Sequence, residues 1–305
     1  MGFLFLAVAC SLGIATLFKV AEQRDLDRTA LLAVNYAAAA VLAVVLQGSA
    51  RGLGGVEAGV VGLGVVQGVL FIGGFWLFSL AIREAGIGLA AGAMRLSVVV
   101  SVLASWAIWG EAPTALQGVG LVLAAGAFVL VARPAGASAA VTAEAPAVTA
   151  ELPPEAPAAG LRPGSVAVLL VALFVSGGLV DVFMKAFQTG YGARVPSATF
   201  LLIVFGVACA VGAVAVVLTG ARTGRWPQPQ VALWGVGLGV VNYGSAEFFL
   251  RALGTLPAPV AFPLNSVSIV LGAAAIGAAV WHERFSRANV AGLALAAVAI
   301  ALLAG

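Results

Sequence analysis

Charge is what this chain has least of. Asp, Glu, Lys and Arg make up 9% of its 305 residues and 62% are hydrophobic, whereas soluble domains carry about 25% charged residues. A surface so poor in charge cannot face water, which excludes an ordinary soluble domain and points to lipid. Histidine is almost absent: His282 stands alone at the end of an apolar run, too little for a metal cluster or histidine-based catalysis. Cys10 and Cys209 lie in separate apolar runs without CxxC spacing, so neither a disulfide framework nor a zinc site is expected. GxSxG, HExxH and Walker A patterns are missing too, and with them the commonest hydrolytic and ATP-driven chemistries. No catalytic residue, metal or cofactor is therefore expected, and the chain is not read as an enzyme. The 15 Lys and Arg are scattered singly between apolar runs, a pattern that excludes nucleic acid as a partner.

What is present is a succession of long apolar runs. A helix needs about 20 such residues to cross ~30 Å of hydrocarbon. The runs and their charged or Pro/Gly interruptions predict spans at 2–20, 29–48, 58–82, 87–109 and 114–133, then at 165–187, 196–219, 229–252, 257–281 and 286–304. The opening run has no Lys or Arg before it and no clean small-residue cleavage pattern after it, so it is read as the first span rather than a signal peptide. Residues 134–164 are rich in Ala, Pro and Glu and lack periodicity, the composition of a flexible linker.

The two sets of five spans share anchors in the same order. Ser11, Gly13, Phe18 and Lys19 answer Ser176, Gly178, Phe183 and Lys185; GLGVVQ at Gly62–Gln67 answers GLGVVN at Gly237–Asn242; WGE at Trp109–Glu111 answers WHE at Trp281–Glu283. A repeat with an odd number of spans inserts its second copy upside down. The expected fold is thus an all-α integral membrane protein of ten transmembrane helices, arranged as two inverted five-helix repeats, 1–133 and 165–305. Gly64 with Gly68, and Gly235 with Gly239, have the small-residue spacing that lets membrane helices approach closely.

The closing segment AFPLNSVSIVLGAAAIGAAVWHERFSRANVAGLALAAVAIALL and its looser first-half version MRLSVVVSVLASWAIWGEAPTALQGVGLVLAAGAFVLV resemble the ends of the paired EamA-type units of the drug/metabolite transporter superfamily. The resemblance covers both halves but not the linker. It implies ten helices, transport of small metabolites such as amino acids, and a central cavity lined mainly by the first, third, fourth, sixth, eighth and ninth spans.

Polar residues inside the spans are the candidate site. Arg95 sits about a third of the way into the fourth span, where insertion scales charge about 2.5–3.5 kcal/mol at the bilayer centre. It either faces a cavity and attracts a substrate carboxylate or phosphate, or snorkels or pairs with an internal acid. Its partner position in the second half is read as Pro263, and Ser97 is matched with Asn265. Asp181 with Lys185, and Glu247 with Arg251, are acid-before-base pairs at i, i+4, placed in the last turns of the sixth and eighth spans. They are interfacial ion pairs, or the acids are coupling residues, since intramembrane acids are the usual proton relays. Gln67, Asn242, Tyr243, Asn265 and Ser268 complete the substrate-binding candidates. Ser97, Ser101 and Ser105 form a stripe nearly opposite Arg95, so one of these two faces is expected to pack and the other to see the cavity.

The leading function is secondary active transport across the cell membrane, with the bilayer and a small-molecule substrate as partners and the proton as candidate coupling ion. An intramembrane enzyme or a channel is the alternative, the latter without a ring of like charges or a filter-like loop. Apart from Arg95, ten Lys or Arg fall on the side of the odd-numbered loops and four on the other. This count favours termini outside the cytoplasm; the family resemblance favours them inside.

Overall fold

The computed structural model describes residues 1–24, 26–47, 55–131, 163–224, 226–282 and 285–304, and among these no strand occurs. Eleven helices follow in order: α1 (Gly2–Gln23), α2 (Arg28–Gln47), α3 (Ala58–Ala85), α4 (Ile87–Leu96), α5 (Val98–Trp109), α6 (Ala115–Val131), α7 (Pro163–Tyr191), α8 (Ser197–Thr223), α9 (Gln230–Leu253), α10 (Ala258–Trp281) and α11 (Arg287–Ala304). Helix is the form these runs must take in lipid, because it satisfies every interior backbone group within the segment. Eight helical stretches among the described residues are long and apolar enough to cross a membrane, α4 with α5 counting as one. The chain is a multi-pass, all-α membrane protein. Helix α6 is apolar but has 17 residues, and α9 is diluted by Asn242, Tyr243, Glu247 and Arg251. The predicted linker lies outside the described residues except for Pro163 and Gly164, which open α7.

The chain divides into two compact units, Met1–Gly73 with Phe183–Thr255, and Gly74–Val182 with Leu256–Gly305. Each draws on both halves of the sequence. In the first unit, α2 packs on α8 and α9, and α1 on α9. Glycine makes these approaches close. A Cβ on Gly239 would lie 2.5 Å from the Asn35 carbonyl oxygen and 2.6 Å from the Ala38 Cβ, and one on Gly235 would lie 2.6 Å from the Val34 Cβ. Helices α3 and α8 meet the same way, with 2.8 Å from Gly64 to Ile203 and 2.6 Å from Gly68 to the Val204 carbonyl. All four glycines of the two predicted spacings are therefore packing residues. Phe187 stacks on Phe200 at 4.1 Å between centroids, and Tyr36 and Tyr243 both lie 6.3 Å from Phe205. At one end of the unit, Arg194 Nε donates to Glu57 Oε1 at 2.8 Å, and this pairing pushes the guanidinium pKa up.

In the second unit α10 packs on α5, α6 and α11, and Phe78, Ala81, Ala90, Ala91, Leu169 and Leu173 form a buried cluster. Helices α6 and α11 run antiparallel with reciprocal contacts. A Cβ on Gly120 would press on Leu303 at 2.9 Å and the Ala299 carbonyl at 3.3 Å; one on Gly292 would press on Val131 at 2.8 Å and the Ala127 carbonyl at 3.0 Å. Both helices open with a capping box. Thr114 and Gln117 exchange backbone-to-side-chain bonds of 3.0 and 3.2 Å, and Ser286 and Asn289 do so at 3.0 and 3.1 Å. The helices before these turns, α5 and α10, each end on a left-handed residue, Gly110 (φ 70°) and His282 (φ 53°). In the first of the two turns, Glu111 Oε2 accepts the backbone N–H of Ala258 at 2.7 Å, placing a carboxylate at the positive end of α10.

Candidate functional site

In the first unit the polar side chains gather along α9 and the helices against it. Asn242 donates from Nδ2 to Asn35 Oδ1 on α2 at 3.1 Å, and Ser11 on α1 shares a 2.8 Å hydrogen bond with Ser245. Gln67, Tyr243 and Asn35 are buried. One turn beyond Tyr243, Glu247 is 7% exposed. Its Oε1 accepts from Arg251 Nε and Nη2, both at 2.7 Å, while Oε2 is buried and has no hydrogen-bond partner. Arg251 reaches out to half-exposure and lies 5.6 Å above the Phe3 ring. The helix geometry brings the predicted acid and base together at i, i+4 and leaves one carboxylate oxygen available for a proton or a donor.

In the second unit Arg95 is 4% exposed near the end of α4. The helix is irregular just beyond it. Ser97 Oγ donates back to the Met94 carbonyl at 2.5 Å, and Val100 N–H bonds to the Ser97 carbonyl at 2.9 Å, although Ser97 itself keeps right-handed helical dihedrals. Back-bonding of a serine hydroxyl into its own helix is a recognised source of such distortion. Ser97, Ser101 and Ser105 are all buried, and at least the first two lie against α7. A Cβ on Gly177 would come within 2.8 Å of Ser97 Oγ, and Ser101 Oγ donates to Asp181 Oδ2 at 2.8 Å. The serine stripe thus includes a packing surface and supplies a donor to the acid. Asn265 and Pro263 are buried on α10, and Ser268 is half-buried there.

Two expectations change. Asp181 and Lys185 do not stand in a last turn: α7 continues to Tyr191, so the acid lies ten residues before its end, and Lys185 is 4% exposed. The sequence hid this because Gln188, Thr189 and Gly190 read as a loop yet remain helical. The matching of Arg95 with Pro263 also shifts. Arg95 lies nine residues after the N-cap Gly86 and fifteen before the C-cap Gly110; the same counts from Pro257 and His282 reach Ser266 and Val267. Pro263 is about one turn too early.

The predicted residues therefore divide: Gln67, Asn242, Tyr243 and Glu247 in the first unit, Arg95, Asp181, Asn265 and Ser268 in the second. Sequence reading missed Asn35, an amide in the middle of an apolar run, and Asn289, whose Nδ2 donates to the carbonyls of Leu130 and Val131 at 3.4 and 2.9 Å. A lone amide inside a span was the available signal for Asn35. No group of three or more His, Cys, Asp or Glu among the described residues is placed to hold a metal ion.

Comparison with known proteins gives the fold a precedent. No family model matches the chain. An uncharacterized protein of Haemophilus influenzae is 26% identical over 306 residues, covering 97% of this chain and 95% of that protein. A protein solved by crystallography superposes with a TM-score of 0.70 at 15% identity, covering 100% of this chain and 98% of its own. This structural likeness is one of fold.

Proposed function

We propose that the protein is a secondary active transporter of small metabolites, most simply amino acids or related organic solutes, working by alternating access in the cell membrane. Its ten spans are α1, α2, α3, α4 with α5, and α6 to α11, arranged as two inverted five-helix repeats of the EamA type. The observation that carries this reading is the reciprocity of α6 and α11. Gly120 meets Ala299, Leu302 and Leu303, while Gly292 meets Ala127, Leu130 and Val131; every equivalent pair is 172 residues apart (292 − 120, 299 − 127, 302 − 130, 303 − 131). Equivalent helices that run antiparallel are exchanged by a two-fold axis across their length, which for a pair of helices that cross the bilayer lies in the membrane plane. The first unit adds a second instance. Gly64 faces Phe200 and Ile203 as Gly239 faces Asn35 and Ala38, with partners 165 residues apart in each case (200 − 35, 203 − 38). Inverted repeats of this kind let two pseudo-symmetric halves exchange conformations and open to either side in turn.

In this reading Arg95 holds an anionic group of the substrate, with Asn265 and Ser268 of its own unit as further binding residues, and Gln67, Asn242 and Tyr243 are the binding residues of the other unit. Glu247 takes part in proton coupling through its unpartnered oxygen, and Asp181 assists. Counterflow of radiolabelled amino acids in proteoliposomes containing the purified chain tests the assignment. A carrier shows exchange driven by internal substrate. Arg95→Gln is expected to weaken uptake of anionic substrates at least about tenfold and leave neutral ones little changed. Glu247→Gln is expected to keep exchange running while abolishing its response to a pH gradient. Unaltered affinity in a well-folded Arg95→Gln protein would sink the binding role.

A further inference from the structure

Two helices, α3 and α7, run from one compact unit into the other, and a short turn at Thr255–Leu256 makes the remaining crossing. Each of the two helices carries a Gly-Gly pair, but the pairs differ in their surroundings. On α7, a Cβ at Gly177 would come within 2.8 Å of Ser97 Oγ, and one at Gly178 would run into the Val100 Cβ. Those glycines exist to let α5 come close. On α3, a Cβ at either Gly73 or Gly74 would meet no heavy atom within 4 Å. No close approach explains them, and glycine is the poorest helix former after proline. The pair sits in the middle of a 28-residue helix, and the division between the two units falls between its members. We propose that Gly73–Gly74 is a flexing point of α3, kept as glycine so that the helix can bend there while the segments on either side stay straight. Gly pairs are among the few established causes of helix kinks, and conformational changes concentrate on a few residues that absorb the dihedral change.

The transporter reading gives this device its purpose, but its existence can be tested without a substrate. In a background with Cys10 and Cys209 replaced by alanine, spin labels at Val61 and Leu80, both on exposed positions of α3, lie about 28 Å apart along an unbent helix at 1.5 Å per residue. Pulsed electron-electron resonance on the full chain in nanodiscs should give a broad or double-peaked distance distribution. The double variant G73A/G74A should collapse it to one narrow peak and raise the melting temperature by several degrees. Gly118 and Gly206 also have open space around a Cβ, but neither stands at the division, Gly118 lying within the second unit and Gly206 within the first. G118A/G206A is expected to raise the melting temperature as well and leave the distribution broad. A native distribution already as narrow as that of G73A/G74A overturns the proposal, as does a G73A/G74A protein that stays broad. Transport lost or retained in these proteins bears on the function and leaves this test standing.

Discussion

The turns that lead into α6 and α11 share one backbone plan and carry different loads. Each begins after a tryptophan, turns on a left-handed residue, and enters its helix through a capping box. In the first turn the box of Thr114 and Gln117 is exposed. In the second turn Asn289 is 4% exposed, and its amide also reaches two carbonyls at the end of α6. The left-handed position differs as well, glycine in one and histidine in the other. The two turns thus share their backbone geometry, while burial decides what each side chain is worth. A polar group is costly to lose where its partners cannot turn to water.

The first way to break this comparison is Asn289→Leu. It removes the cap and leaves buried carbonyls without a donor, and should cost about 3 kcal/mol, read as the largest fall in unfolding midpoint in detergent. Next comes Gly292→Ala, whose new Cβ meets Val131, Leu130 and the Ala127 carbonyl at 2.8–3.0 Å. Overpacking predicts a loss of about 1–3 kcal/mol, against none for Gly118→Ala, where the space is open. Equal behaviour of those two alanines would contradict the packing described for α6 and α11. Gln117→Leu, the exposed counterpart of the first substitution, should cost about 1 kcal/mol or less. A loss as large as that of Asn289→Leu would mean that burial is not what separates the two turns. The smallest effect has the opposite sign. His282→Gly relieves a left-handed conformation that disfavours a Cβ and should gain about 0.5 kcal/mol, seen as a small rise in midpoint.

Much of this architecture was legible in the sequence. The predicted start of every span falls within two residues of an observed helix start, because the apolar length needed to cross lipid leaves little freedom. The glycine spacings on α3 and α9 were read correctly as packing, since a notch is defined by the residue that forms it. Roles set by a distant partner were not legible. The WGE and WHE motifs stood out in the sequence, but their meaning did not. Gly110 and His282 turn the chain, and Glu111 reaches the first N–H of α10 across 147 positions. Similarly, Ser101 looked like part of a polar stripe until its hydroxyl was found on Asp181. Asn35 and Asn289 escaped notice because their partners, Asn242 and the α6 carbonyls, lie far along the chain.

The reciprocal clasp of α6 and α11 also sets a constraint on biogenesis. A ribosome releases α6 well before α11, whose first residue lies 156 positions after the last residue of α6. Until then the groove at Gly120 and the carbonyls of Leu130 and Val131 have no protein partner, and lipid supplies no hydrogen bonds in its place. The eighteen residues of α11 therefore act as a closing key. A chain interrupted just before them would still present an unmatched polar helix end on α6.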